Sequence, residues 1–134
     1  MEKKKIILVD EFSFLRKALK NTLLSIGNVE IIAEASNGKE FLNLLDTINP
    51  DIVFIDITIP QIDGIEATKL AIKKHPGIVI IGFSSSDKQC YIEQMIKAGA
   101  KGYLSKSSNN YEILSEIISN PEKGYFYSYD NYSM

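Results

Sequence analysis

Three uninterrupted apolar runs constrain the fold of this 134-residue chain more than any other feature. They are Ile6-Ile7-Leu8-Val9, Ile52-Val53-Phe54-Ile55 and Ile78-Val79-Ile80-Ile81. A half-exposed strand alternates apolar and polar residues. A short run without alternation, bounded by turn residues, fits a strand covered on both faces. The first run ends at Asp10-Glu11, the second at Asp56, and the third passes through Gly82-Phe83 into Ser84-Ser85-Ser86. After Asp56 the chain cannot continue as a central strand, because Pro60 lacks the N–H such a strand needs. Asp63, with Glu66 three residues on, can cap the next helix. One carboxylate is thus left at a strand tip, where open α/β sheets bind ligands.

Helical periodicity fills the gaps between the runs. Leu15, Ala18, Leu19, Leu23 and Ile26 predict a helix from Phe14 to Ile26, ended by Gly27. Val29-Glu30-Ile31-Ile32-Ala33-Glu34-Ala35 is strand-like, and Asn37 with Glu40 can cap a helix carrying Phe41, Leu44, Leu45 and Ile48, stopped by Pro50. Further helices are expected from about Gly64 to Lys74, from Asp87 to about Ala98, and from a cap at Asn109 with Glu112 through Ile113, Leu114, Ile117 and Ile118 to Pro121. A short strand, Tyr103-Leu104-Ser105, precedes Lys106. Five strands alternating with five helices predict an α/β fold, a parallel sheet covered on both faces and joined by right-handed crossovers. In such a sheet all strand carboxyl ends share one edge, so Asp10, Glu11, Asp56, Ser84 and Lys106 are expected to converge there.

Composition narrows the function classes. A content of 45% hydrophobic and 24% charged residues is that of an ordinary globular domain, and a net charge of -2 gives no basic surface for nucleic acid. The one cysteine, Cys90, excludes an internal disulfide and fits a reducing, cytoplasmic setting. Lys3-Lys4-Lys5 precedes an apolar run too short for a signal peptide or a membrane span.

Three carboxylates held together repel one another unless a cation joins them. Oxygen donors without a histidine or cysteine cluster suit Mg²⁺, which keeps several waters and shares its shell with phosphate. His75, the only histidine, stands at a helix end next to Pro76 and reads as a surface residue. A lysine and a hydroxyl on the same rim can both donate to anionic oxygens. That set is what phosphoryl transfer to an aspartate requires: in-line attack by the carboxylate while cations neutralise the equatorial oxygens.

Leu8-Val9-Asp10-Glu11 followed by Arg16, Phe54-Ile55-Asp56 through Pro60 and Asp63-Gly64, Phe83-Ser84, Ala98-Gly99-Ala100, and Gly102-Tyr103-Leu104 with Lys106 together resemble the receiver domains of two-component response regulators. The resemblance runs from Lys4 to Ser119 and is closest to receivers whose output is a helix-turn-helix of the LuxR/NarL type. It implies a flavodoxin-like, doubly wound sheet of order 2-1-3-4-5. By the same resemblance Asp56 is the phosphoacceptor, and Asp10, Glu11, Asp56 and the backbone carbonyl of Thr58 hold Mg²⁺. Ser84 and Tyr103 resemble the switch hydroxyl and aromatic, and Lys106 the phosphoryl-pairing lysine. The implied partners are a sensor histidine kinase and, on phosphorylation, a second copy of the chain, with DNA reached only through an output domain. The implied role is a signalling module regulating transcription rather than an enzyme, apart from hydrolysis of its own phosphoaspartate.

Two positions depart from the family pattern. Glu11 stands where aspartate is usual, and Ser107 follows the lysine where proline is frequent, so a cis peptide there would be costly. Thr58 and Ser86 occupy the positions that tune phosphoaspartate hydrolysis in the family.

Other readings stay open at this level. A haloacid dehalogenase-type phosphohydrolase also uses a strand-end aspartate, a hydroxyl and a lysine, but it needs a second aspartate where Thr58 stands. A flavodoxin would need a phosphate-cradling loop where Glu11-Phe12-Ser13-Phe14 stands. A single-domain regulator, or a degenerate receiver that only binds proteins, fits the same motifs. Residues 1–120 are expected to form the receiver, with 121–134 an aromatic tail or the start of a linker.

Overall fold

The computed structural model describes residues 2–84, 89–106 and 111–125. Ten elements alternate along the chain: β1 (Lys4–Val9), α1 (Ser13–Ile26), β2 (Val29–Ala35), α2 (Gly38–Leu44), β3 (Ile52–Asp56), α3 (Gly64–Lys74), β4 (Val79–Ser84), α4 (Gln89–Ala98), β5 (Gly102–Ser105) and α5 (Tyr111–Ser119). The strands form one parallel sheet of order β2-β1-β3-β4-β5. Both the architecture and the strand order agree with the expectation from sequence.

The apolar runs are uninterrupted because the sheet is buried on both sides. Ile7, Val9, Val53, Ile55 and Ile80 face one core with Phe41 of α2, Ala67 and Ala71 of α3, and Met95 of α4. Their neighbours Ile6, Leu8, Ile52, Phe54 and Ile81 face a second core with Leu23 of α1 and Leu114, Ile117 and Ile118 of α5. Each such side chain removed from water contributes roughly 1.5–3 kcal/mol before entropy is counted.

The caps read from sequence form. Asn37 accepts from the Glu40 N–H at 2.8 Å and Asp63 from the Glu66 N–H at 2.9 Å. α2 ends at Leu44 instead of running to Ile48. Its carbonyls are taken by shorter-range bonds, Asp46 N–H to Asn43 and Thr47 N–H to Leu44, while Leu45 and Ile48 still pack on the first core. β4 extends to Ser84, which becomes the last residue of its strand. The expected helix starts at Asp87 and Asn109, the tuning position Ser86 and the Lys106-Ser107 peptide lie outside the described residues. The packed body continues past α5, where Tyr125 is fully buried in the second core. No helix among the described residues is long and apolar enough to cross a membrane.

Candidate functional site

Strand order decides which strand ends meet. β1, β3, β4 and β5 are consecutive in the sheet, so Asp10, Asp56, Ser84 and Lys106 follow one another along its carboxyl edge. Asp56 is the last residue of β3 and Asp10 directly follows β1; they are 5% and 7% exposed. Lys106 follows β5, and its N–H donates to the Ser84 carbonyl at 2.9 Å. Its side chain crosses the end of β4, so that Nζ lies 2.9 Å from Asp56 Oδ2 and 2.5 Å from Asp10 Oδ2.

Each carboxylate is also held on its other oxygen. Asp56 Oδ1 accepts from the Thr58 N–H at 3.1 Å and the Thr58 hydroxyl at 3.3 Å. Asp10 Oδ1 accepts from the Phe12 N–H at 3.0 Å. The turn after Asp56 closes tightly: the Gly64 N–H donates to the Ile57 carbonyl at 2.8 Å. A Cβ on Gly64 would stand 2.5 Å from the Asp56 carbonyl oxygen. Glycine here lets the start of α3 approach the strand end that carries Asp56.

Burial is the largest influence on the Lys106 ammonium and disfavours its charge. Hydrogen bonds and charge attraction from Asp10 and Asp56 together outweigh it, so the pKa is raised above the ordinary lysine value. One ammonium therefore offsets much of the repulsion between two buried carboxylates.

The site departs from the sequence expectation at Glu11. Among the described residues, no three acidic, histidine or cysteine side chains are grouped so as to hold a metal ion. Glu11 is exposed. Asp10 is buried directly after β1, whereas Glu11 sits on the bend that follows and lies in solvent. The expected trio of carboxylates is instead two carboxylates and a lysine. That donor set still fits Mg²⁺, which commonly takes one or two carboxylates and completes its shell with water and phosphate oxygens. Tyr103 is fully buried in the first core, so its ring points inward in this state.

Arg16 was legible only as part of a motif, and Glu34 not at all. Arg16 Nη1 donates to the Asp10 carbonyl at 2.5 Å, and its Nε to Glu34 Oε1 at 2.8 Å. The guanidinium thus ties the Asp10 peptide to β2. The contact joins the end of β1, α1 and β2, which meet only because α1 packs beside both strands, and no helical or strand period relates these residues. Between α1 and α5 a cleft of about 230 Å³, lined in part by Leu15, Leu19, Phe54 and Leu114, opens beside Asp10, Asp56 and Lys106.

Residues 6–118 match the family model of the response regulator receiver domain. The chain is 31% identical over 112 residues to the transcriptional regulatory protein DegU of Brevibacillus brevis, covering 84% of this chain and 48% of that protein. It is 37% identical over 113 residues to the chemotaxis protein CheY of Listeria monocytogenes, covering 84% of this chain and 94% of CheY. It thus spans about half the length of the transcriptional regulators it matches and nearly all of CheY. Among solved structures it resembles a LuxR-family two-component response regulator from Aurantimonas, with TM-score 0.88 and 28% identity over 96% of this chain and 92% of that one. It also resembles the CheY of a CheX–CheY–BeF3–Mg²⁺ complex from Borrelia burgdorferi, with TM-score 0.81 and 26% identity over 88% and 89% of the two chains. The family match runs from within β1 into α5 and includes every strand end of the carboxyl edge, and by it this chain belongs to the receiver domains of response regulators.

Proposed function

We propose that this chain is a phosphoacceptor module of a two-component system, in which Asp56 takes a phosphoryl group from the phosphohistidine of a sensor kinase. The observation that carries this reading is Lys106 Nζ spanning Asp56 and Asp10 at the strand edge. An Asp56 oxygen attacks phosphorus in line, the P–N bond to the kinase imidazole breaks, and the imidazole keeps the electron pair. Lys106 then pairs with phosphoryl oxygens, and the Ser84 hydroxyl, at the end of the neighbouring strand, donates to another. Asp10 and Asp56 would hold Mg²⁺, with the Thr58 carbonyl and Glu11 as further oxygen donors. When bound, the ion neutralises charge building on the transferred group. Water attacking phosphorus later displaces the Asp56 carboxylate and releases inorganic phosphate, which ends the signal without making the domain an enzyme acting on a separate substrate.

The relative DegU, a transcriptional regulatory protein, supports transcriptional control. In this reading the chain acts in the cytoplasm, through an output domain and with phosphorylation-dependent dimerisation. The likeness to the CheY of the CheX–CheY complex supports a second reading, a regulator that acts by binding another protein. Incubation with acetyl phosphate and Mg²⁺, followed by intact-mass measurement, should add one acid-labile phosphoryl group, and Asp56→Asn should abolish it. Equal labelling of the substituted protein rules out Asp56. Whether the reading frame continues past Met134 into a helix-turn-helix separates the two outputs.

A further inference from the structure

The segment after α5 returns to the sheet. Tyr125 forms a parallel bridge with Gly102 on the outer edge of β5. Its N–H donates to the Lys101 carbonyl at 2.7 Å, and its carbonyl accepts from the Tyr103 N–H at 2.7 Å. The side chain is fully buried in the second core, together with Leu104, Leu114 and Ile117. The phenol O–H reaches the end of α5, 2.5 Å from the Asn120 carbonyl and 3.1 Å from that of Glu116. A Cβ on Gly102 would stand 2.6 Å from the Tyr125 carbonyl oxygen, so a residue without a side chain permits this approach.

β5 is therefore bonded on both edges. One edge pairs with β4, where Ser84 stands opposite Ser105, and the other pairs with Tyr125. Lys106, which grips the two buried carboxylates, directly follows the same short strand. A displacement of β5 must carry Tyr125 with it or break two main-chain bonds.

We propose that Tyr125 is the coupling residue through which the state of the Asp56 site reaches the chain beyond the domain. The proposal rests on the phosphoryl reading of Asp56. Phosphoryl oxygens add anionic partners for Lys106 and Ser84, hold β5 more firmly, and so tighten the bridge to Tyr125. Coupling between two sites is reciprocal: whatever loosens Tyr125 weakens binding at Asp56 by the same factor.

The test is amide hydrogen exchange on the whole chain, with and without Mg²⁺ and beryllofluoride. Exchange at the Tyr103 and Tyr125 amides should slow by about 5-fold or more, the lower end of ordinary coupling. Tyr125→Ala should weaken beryllofluoride binding by a similar factor. Tyr125→Phe keeps the ring and removes the O–H bonds, so it provides a folded variant with a smaller loss in the same direction. Protection appearing at Ser84 and Lys106 while Tyr125 exchanges at its original rate overturns the coupling and leaves the phosphoryl reading intact. Wild-type beryllofluoride affinity in both variants does the same. A chain that takes neither beryllofluoride nor a phosphoryl group from acetyl phosphate overturns both.

Discussion

The main-chain N–H of Lys106 donates to the carbonyl of Ser84 at 2.9 Å, locking the end of β5 to the end of β4. From that fixed origin the lysine side chain reaches over β4 to both carboxylates, Asp56 at 2.9 Å and Asp10 at 2.5 Å. Lys106 is thus a built-in cation on oxygens that Mg²⁺ would also use. Lys106→Met should destabilise the metal-free protein by on the order of 2 kcal/mol. That is less than the loss of a fully buried ion-pair partner, because the site opens to solvent on one side. The same substitution should tighten Mg²⁺ binding, since a competing positive charge is gone. Urea unfolding with and without Mg²⁺ measures both. Weaker Mg²⁺ binding in the variant would count against competition.

Alkaline pH should act through the same group. The folded-state pKa of Lys106 lies above the ordinary lysine value of 10.5. Its contribution to stability is therefore fully present below that value and lost as pH rises through the higher folded pKa. Other lysines and the tyrosines titrate nearby, so the readout is the difference between wild type and Lys106→Met. The stability gap should be constant from pH 7 to about 10 and shrink above it. A gap that widens with pH contradicts the sign.

Mg²⁺ should raise the melting temperature by binding the folded state alone. Asp10, inward and buried, should matter more than exposed Glu11. Asp10→Asn is expected to remove most of the Mg²⁺-dependent rise and Glu11→Ala less of it. Thermal melts over a Mg²⁺ titration decide the ranking, and the reverse order would place Glu11 as the principal ligand.

Arg16 carries two charge-assisted bonds, to the Asp10 carbonyl and to Glu34. Arg16→Ala should cost about 1.5–3 kcal/mol, the usual range for hydrogen bonds to charged groups. It should also weaken Mg²⁺ binding by freeing the Asp10 peptide. Lysine cannot make both bonds from one rigid fork, so Arg16→Lys should recover only part of either quantity. Calorimetric Mg²⁺ titration of both variants separates positioning from plain stability. Unchanged Mg²⁺ affinity in Arg16→Ala confines the residue to stability.

Gly64→Ala puts a methyl group 2.5 Å from the Asp56 carbonyl oxygen and 2.6 Å from Ile57 Cα, against backbone on both counts. Overpacking of this kind costs about 1–3 kcal/mol. Because the displaced atoms belong to Asp56 and its neighbour, phosphorylation by acetyl phosphate should slow as well. A variant that unfolds earlier but labels at the wild-type rate would show that the strand end tolerates the shift.

The sequence by itself determined the local structure and the cast of the site. Uninterrupted apolar runs require strands covered on both faces, and Asn37 and Asp63 cap their helices through neighbours three residues away. Asp56 falls at a strand end because it follows its apolar run directly, Ser84 because Gly82-Phe83 carry the third run on to it, and Lys106 because it follows the short strand Tyr103-Leu104-Ser105. These signals are legible because they act over a few residues. The tertiary structure decided the rest. It placed β3 between β1 and β4, letting one lysine reach two acids, and turned Glu11 outward beside an inward Asp10. It also joined Arg16 to Glu34 and laid Tyr125 along β5. Those contacts depend on strand order, register and crossover path, which join residues that no local spacing relates.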